Sequence, residues 1–393
     1  MNLSNTPTRE LAAAARSMPR SGIREIMDLA WSLREVIHLE VGEPNFPTPP
    51  HALEAAVDAA RGGATRYTPN AGIPELREAL ARKVTQRNDV PADPEGIVVT
   101  SGAVEALYSS LLALIDPGDG LLLPDPGWPN FRMMANLLQA EVQPYELLDT
   151  DGYQPMPETI ERTITERTKV LLLNTPSNPL GTVLDRGRAR ELYDLARSHD
   201  LWILADECYD ELVFDGAGYS IGSEDPDERV ISVYSFSKTY AMTGWRVGYA
   251  VVPDRLAETA AKLQEPLISC VSAPSQHAAL AAVDGPQTVV GEMLDSYRER
   301  RDIVVDRLAA AGMRVQRPAG AFYVWVDIGG AGVDAREFAR TLVEQDGVAV
   351  VPGSAFGDAG DTAVRLSLAT DRQLLTEGID RLAQRYLALR SAG

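Results

Sequence analysis

The stretch between residues 97 and 252 alternates short apolar runs with segments that have the composition of helices. The apolar runs occupy residues 97–100, 120–124, 169–174, 202–206, 229–234 and 247–252. Strands that are buried on both faces have this appearance, and regular strand–helix alternation is typical of a mainly parallel sheet covered by helices. The last two runs have no helix between them, which predicts that they pair antiparallel. The chain is therefore predicted to be an α/β protein.

The segments on either side of this stretch have a different pattern. Before it, helices are predicted at residues 23–33 and 51–61 and up to residue 87, with a short strand near residue 37. After it, strands are predicted at residues 314–317, 322–328, 348–351 and 364–368. Helices between and around those strands are predicted at residues 286–311, 334–344 and 371–390. This mixture of helices and strands predicts a second, smaller α+β unit.

The length of 393 residues is sufficient for one large domain and a smaller one. We predict that residues 1–45 form an N-terminal arm and part of the small domain. Residues 46–290 form the large domain, and residues 291–393 form the C-terminal small domain.

The charge and the cysteine content exclude several classes of protein. A net charge of −19 argues against binding to nucleic acid or to an anionic membrane, both of which need a basic face. Cys208 and Cys270 are the only cysteines, so no disulfide framework is expected and a reducing cytoplasm is predicted. The N-terminus lacks the apolar core of a signal peptide. The four histidines show no metal-ligand spacing, so no metal site is predicted.

A lysine follows the apolar run that ends at residue 234. Burial at the mouth of a strand would favour the neutral, nucleophilic amine of Lys238. Ser235, Ser237 and Arg246 surround it in sequence, and their hydroxyl and guanidinium donors suit a phosphate. An amine that can form an imine beside a phosphate site suggests pyridoxal phosphate. The alternative is a lysine that ends a strand and extends into solvent.

Further candidate residues follow the other apolar runs, where ligands collect in doubly wound sheets. The amides of Ala103 and Val104 open a helix after a glycine turn and could bind a phosphate. The neighbouring Glu105 is expected to face solvent. Trp128 could stack on a planar ring, or it could pack against the sheet. The amide of Asn178 fits a phenolic oxygen, although asparagine before proline is also a common turn former.

Charged side chains at or within buried strands complete the set. Asp206 ends an apolar run, where a carboxylate is costly unless it is paired. A pyridinium nitrogen would be such a partner, and a helix cap or an internal salt bridge is the alternative. Tyr209 lies on the adjacent turn and could share a phenolic oxygen with Asn178. Arg365 lies within an apolar strand, and its guanidinium matches an α-carboxylate or a structural ion pair.

Three motifs in this order resemble those of the class I/II aminotransferases, in the aspartate aminotransferase superfamily of fold type I. They are Ser-Phe-Ser-Lys-Thr-Tyr-Ala-Met-Thr-Gly-Trp-Arg-Val-Gly from residue 235, Asn-Thr-Pro-Ser-Asn-Pro-Leu-Gly from residue 174 and Ala-Asp-Glu-Cys-Tyr from residue 205. The resemblance covers nearly the whole chain. It implies a large cofactor-binding domain with a mainly parallel, seven-stranded type of sheet, and a smaller α+β domain.

The resemblance also implies roles for the candidates around a bound pyridoxal 5′-phosphate. Lys238 would be the Schiff-base lysine and would transfer the substrate proton. Asp206 would pair with the ring nitrogen, and Asn178 and Tyr209 would hold the phenolic oxygen. Trp128 would lie against the ring. Lys238, Asp206 and Tyr209 are therefore the predicted catalytic residues.

The phosphate of the cofactor would be held by residues from two strand ends. Those residues are Ser235, Ser237, Arg246 and the amides of Ala103 and Val104. Val104 stands where some aspartate-specific bacterial relatives have a lysine, so the resemblance does not imply a dicarboxylate substrate.

The remaining roles concern the substrate and a second subunit. Arg365 would bind the α-carboxylate of the substrate, in a pocket lined by Gly42, Trp128 and Asn178. Tyr67 matches a tyrosine that reaches the phosphate of the neighbouring subunit, which implies a homodimer.

The implied reaction is a ping-pong transfer of an amino group between an L-amino acid and a 2-oxo acid. A lyase, a decarboxylase or another reaction on the same cofactor is the alternative. A regulatory protein built on this fold would need an N-terminal DNA-binding module, for which the N-terminal arm is too short.

Overall fold

The computed structural model describes residues 10–216 and 218–392, and its central feature is a seven-stranded sheet. Including two smaller sheets, the described strands are β1 (Ile37–His38), β2 (Ile97–Thr100), β3 (Gly120–Asp125), β4 (Glu141–Glu146), β5 (Thr168–Asn174), β6 (Trp202–Asp206), β7 (Val230–Ser235), β8 (Gly248–Val251), β9 (Tyr323–Asp327), β10 (Val348–Ala349), β11 (Val351–Pro352) and β12 (Ala363–Ser367).

Helices precede or follow most of these strands. The described helices are α1 (Ala13–Arg16), α2 (Gly22–Ser32), α3 (Pro50–Arg61), α4 (Pro74–Arg87), α5 (Ala103–Leu114), α6 (Pro129–Leu138), α7 (Pro157–Glu161), α8 (Arg186–Ser198), α9 (Phe236–Thr239), α10 (Asp254–Leu267), α11 (Ala273–Asp284), α12 (Thr288–Ala310), α13 (Ala335–Asp346) and α14 (Arg372–Ala392). Within the described ranges, no helix combines the length and the apolar character that crossing a membrane requires.

The strand order of the large sheet is β2-β8-β7-β6-β5-β3-β4. Strands β3 to β7 run parallel, whereas β8 is antiparallel to both β7 and β2. This confirms the predicted α/β class and the predicted antiparallel pair. The sequence analysis missed β4, because Glu141–Glu146 carries polar residues and a proline. Both are tolerated at the edge of a sheet, where β4 lies.

The parallel strands are apolar on both faces because helices cover both faces of the sheet. Leu204 of β6 and Leu121 of β3 belong to one core cluster, which includes residues of α5 and α6. Their neighbours Ile203 and Leu122 point the other way and pack in a cluster that includes residues of α7 and α8. The sheet therefore forms the middle of three layers, and its strand ends are free to carry polar side chains.

The C-terminal part contains two small sheets. Strands β11, β12 and β9 form an antiparallel sheet, and β10 pairs in parallel with β1 from the N-terminal region. The strand predicted at 348–351 is divided at Val350 between the two sheets. The strand predicted at 314–317 is wrong: only Val315 makes a bridge there, and it is the one apolar residue of that segment.

We retain the three-part division at residues 45 and 290 as a proposal. The pairing of β1 with β10 supports joining residues 1–45 to the C-terminal unit. The boundary at residue 290 falls in the first turn of α12, a helix of 23 residues.

Replacing Leu204 with alanine should strongly destabilise the protein, because this side chain is fully buried in the central sheet. We expect the free energy of unfolding to fall by about 2–5 kcal/mol, measured by urea denaturation. Leu374→Ala on α14 is the control, since Leu374 is 48% exposed and its loss should change stability by no more than about 0.5 kcal/mol. Equal effects of the two substitutions would contradict the assignment of Leu204 to the core.

Candidate active site

One cavity of about 340 Å³ lies at the edge of the large sheet where β5, β6 and β7 end. Twelve of the predicted site residues line it, namely Gly42, Ala103, Val104, Trp128, Asn178, Asp206, Tyr209, Ser235, Ser237, Lys238, Arg246 and Arg365. Tyr67 is the predicted site residue that does not. The structure therefore brings together residues that are separated by more than 300 positions in the sequence.

Lys238 lies on α9, the short helix that directly follows β7. Ser235 caps this helix, because its hydroxyl oxygen accepts a hydrogen bond from the amide of Ser237 at 3.1 Å. The Nζ atom of Lys238 donates to the carbonyl oxygen of Gly42 at 2.5 Å. It also lies 6.0 Å from the centre of the Tyr209 ring. The amine is thus held inside the cavity rather than extended into solvent.

Asp206 is the last residue of β6, and its side chain is buried. Its Oδ1 atom accepts a hydrogen bond from the amide of Cys208 at 3.3 Å. Burial raises the pKa of Asp206 to about 6, although the bonds from Cys208 and the charge of Lys238 oppose this shift. Among the described residues Asp206 forms no ion pair, so a cation that entered the cavity would stabilise its charged form.

Groups that could hold an anion converge where the N-terminus of α5 meets β8. Gly102 adopts φ 77° and lies against the Arg246 guanidinium, so that a Cβ atom there would clash with it. A Cβ atom on Gly248 would lie 2.6 Å from the amide nitrogen of Ala103. The two glycines therefore allow the first amides of α5 and the guanidinium to converge, which is an arrangement that binds phosphate. Arg246 itself donates to the carbonyl oxygen of Ser101 at 3.2 Å.

Glu105, expected to face solvent, instead turns back toward this loop. Its Oε2 atom accepts a hydrogen bond from the amide of Ser101. Burial raises the pKa of the Glu105 carboxyl above its usual range, although the bond from Ser101 opposes this shift. The side chain stabilises the turn that precedes α5.

Arg365 is buried on β12 at the back of the cavity. Its Nη1 atom donates to Oδ1 of Asn178 at 3.0 Å, and its Nη2 atom donates to the carbonyl oxygen of Glu40 at 2.6 Å. The guanidinium stacks on the Tyr323 ring at 4.3 Å. Burial lowers the pKa of Arg365. It forms no ion pair with any residue described, which argues against the structural alternative and leaves its charge available to an anionic ligand.

The sequence analysis missed Tyr323, which also lines the cavity. Its hydroxyl forms a 2.8 Å hydrogen bond with the hydroxyl of Tyr209. Burial and the contact with Tyr323 raise the pKa of Tyr209 well above its usual range, so its hydroxyl stays protonated at neutral pH. Tyr323 begins the apolar strand β9, where an aromatic residue is most simply interpreted as core. The sequence alone carried no signal for its role.

Two aromatic residues of the predicted site lie away from the centre of the cavity. Trp128 immediately precedes α6 and packs edge-on against Phe131, with ring centres 5.4 Å apart. Tyr67 is 88% exposed and lies outside the cavity. Its loop is nevertheless fixed, because Gln276 donates to the hydroxyl of Thr68 at 2.9 Å.

Residues 34–382 match the family model described as aminotransferase class I and II. The aspartate aminotransferase of Pyrococcus horikoshii is 37% identical over 366 residues, covering 92% of this chain and 94% of the relative. The aromatic-amino-acid aminotransferase 2 of Thermococcus litoralis is 38% identical, with the same coverage. The solved aspartate aminotransferase of Thermus thermophilus with maleate has a TM-score of 0.92 and 37% identity, covering 96% of this chain and all of that chain.

This chain belongs to the aminotransferase class I and II family. It is an enzyme, and its reaction is transamination. The predicted family, fold and reaction are thereby confirmed, and the lyase and decarboxylase alternative is not favoured.

Replacing Asp206 with asparagine should stabilise the cofactor-free protein at high pH. Because the folded-state pKa of about 6 exceeds the ordinary value of 3.8, the ionised carboxylate costs stability above pH 6. That cost disappears as the pH falls toward 4. We expect the variant to gain about 2–3 kcal/mol in unfolding free energy at pH 8 relative to its gain at pH 4, measured by urea denaturation.

The control for this measurement is Asp194→Asn on α8, where the aspartate side chain is 64% exposed. Its effect should differ little between the two pH values. A gain for Asp206→Asn that does not depend on pH would show that burial does not disfavour the Asp206 charge.

Proposed function

We propose that the enzyme uses pyridoxal 5′-phosphate bound in this cavity, and that the predicted site residues have the roles that the family resemblance implies. The observation that carries the proposal is the meeting of three complementary groups in one cavity. Lys238 offers an amine, Asp206 offers a buried acid that forms no ion pair with any described residue, and the α5 terminus with Arg246 offers donors suited to an anion. A cofactor with an aldehyde, a basic ring nitrogen and a phosphate matches all three.

When bound, pyridoxal phosphate supplies an aldehyde carbon that bonds to amines and a ring that withdraws electrons from the substrate Cα. Asp206 keeps a proton on the ring nitrogen, because its buried charge is stabilised by the positive charge that the proton creates. The Lys238 amine would take up the proton that leaves the substrate Cα and hold it within the cavity for its return to carbon. Its position between the Gly42 carbonyl and the Tyr209 ring holds the amine within the cavity.

The other residues orient the reactants. Tyr209, through its hydroxyl, and Asn178, through its amide, would donate hydrogen bonds to the phenolic oxygen of the ring. Arg365 would bind the substrate α-carboxylate, and it already contacts Asn178, which links the carboxylate site to the ring site. Trp128 would lie against the ring. Amino acids and 2-oxo acids share the α-carboxylate, so a single arginine serves both half-reactions.

We propose further that the enzyme is a homodimer in which Tyr67 reaches the phosphate in the neighbouring subunit. Its exposure and its position on an anchored loop support a role outside its own subunit. A cytoplasmic location is also part of the proposal, and it is supported by the free state of both cysteines.

Replacing Lys238 with alanine should remove both the covalent link to the cofactor and the proton transfer. We expect the rate of amino-group transfer to fall by at least about a hundredfold. Borohydride treatment of the wild-type protein with pyridoxal phosphate should fix the cofactor on residue 238, as shown by peptide mass spectrometry. The control is Lys262→Ala, since Lys262 is 72% exposed on α10. Cofactor fixed on another lysine would refute the assignment.

Replacing Tyr67 with phenylalanine should weaken cofactor binding by about tenfold or more, because a hydrogen bond to a charged group is worth about 1.5–3 kcal/mol. The measurement is titration of cofactor-free protein with pyridoxal phosphate.

Hybrid dimers of a Lys238→Ala subunit and a Tyr67→Phe subunit identify the subunit on which Tyr67 acts. If Tyr67 acts on its neighbour, one site of each hybrid has both intact residues and should bind cofactor with normal affinity. Weak binding at both sites would show that Tyr67 acts within its own subunit.

A further inference from the structure

A second buried carboxylate lies behind the arginine of the cavity. Glu40 follows β1, and its side chain is completely buried. Its Oε1 atom lies 2.8 Å from Nδ1 of His38. Its Oε2 atom is buried and has no hydrogen-bond partner among the described residues. A carboxylate in such a place is costly, so its presence calls for a reason beyond packing.

The backbone of Glu40 is hydrogen-bonded to Arg365, whereas its side chain is not. The carbonyl oxygen of Glu40 accepts a hydrogen bond from Nη2 of Arg365 at 2.6 Å. The carboxylate pairs with His38 and makes no ion pair with the guanidinium. The Nε atom of Arg365 is likewise buried without a partner in the described part of the chain. The carboxylate of Glu40 and the guanidinium of Arg365 are therefore both buried, with no hydrogen bond between the two side chains.

The Glu40 carboxylate and the Arg365 guanidinium still attract each other, because charges in the interior are poorly screened by solvent. Burial lowers the pKa of Arg365, and the negative charge of Glu40 is among the groups that oppose this shift. Any carboxylate that binds Arg365 brings a second negative charge to the same guanidinium. The charge of Glu40 would therefore oppose such a ligand while it stabilises the charged guanidinium.

We propose that Glu40 is a positioning residue that acts through Arg365: its backbone carbonyl orients the guanidinium, and its carboxylate weakens the hold on the substrate carboxylate. The inference rests on the proposed role of Arg365. A transaminase must release the carboxylate of its product and bind that of the next substrate in every cycle. A moderate affinity for the carboxylate therefore favours the replacement of one by the other.

The direction in which one substitution changes carboxylate binding separates this proposal from a purely structural role. Glutamine has the shape of glutamate and retains an oxygen for His38, but it lacks the charge. If Glu40 only supports the chain around Gly42, Glu40→Gln leaves carboxylate binding unchanged or weakens it. If the charge opposes the ligand, Glu40→Gln strengthens the binding.

The experiment measures binding of propionate, a carboxylate without an amine, to the purified holoenzyme by isothermal titration calorimetry. We expect the dissociation constant to fall about fivefold in Glu40→Gln, the size of effect that one poorly screened charge produces. Glu40→Asp keeps the charge and should stay within about twofold of the wild type. An unchanged or larger dissociation constant in Glu40→Gln would overturn the proposal. Should this variant fail to fold, Glu40→Met is also uncharged, and the same result is expected.

Two controls make the outcome specific. Glu207→Gln removes another buried glutamate, whose partner is the Ser220 hydroxyl at 2.8 Å and which lines a different cavity. This variant should leave propionate binding unchanged. A dissociation constant that falls as much as in Glu40→Gln would overturn the proposal. Arg365→Lys should weaken propionate binding, and an unchanged constant there would contradict the proposed role of Arg365 itself. If Arg365→Lys weakens propionate binding but Glu40→Gln does not strengthen it, only the proposed role of Glu40 is refuted. The proposed role of Arg365 then stands.

Discussion

The charge of Asp206, buried at the end of β6 without an ion-pair partner among the described residues, is the constraint around which the cavity is arranged. A carboxylate in that place costs stability unless positive charge arrives from a ligand or the acid takes up a proton. The lysine on the neighbouring strand end lowers the cost but does not remove it. The protein therefore holds an unfavourable charge at the point where the proposed cofactor would supply a cation.

The parallel sheet makes this arrangement possible. Strands β5, β6 and β7 are adjacent and run in the same direction, so Asn178, Asp206 and Lys238 come from consecutive strand ends. The antiparallel β8 brings Arg246 to the same edge from the opposite direction. Helices cover both faces of the sheet, which leaves this edge as the place where polar groups can gather without disturbing the core.

Most of the fold and much of the candidate site could be predicted from the sequence, because both follow from buried apolar strands and from the residues at their ends. Asp206 and Lys238 were found in this way. The strand β4 was missed since its residues are polar at an edge, and Tyr323 was missed since a tyrosine in an apolar strand has the appearance of core. The proposed contribution of Tyr67 would depend on a second subunit, on which the sequence of one chain gives no geometry.

The contacts of Gly42 and Glu40 have a consequence for how the enzyme is made. Gly42 meets a side chain 196 positions later, and Glu40 meets one 325 positions later. A ribosome must therefore reach residue 365 before the segment around Gly42 can close the pocket around the Lys238 amine. Contacts so distant along the chain form late and at a high entropic cost. Partly synthesised chains thus carry the amine of Lys238 without the walls that would confine it, and full enclosure comes only after β12 has been made.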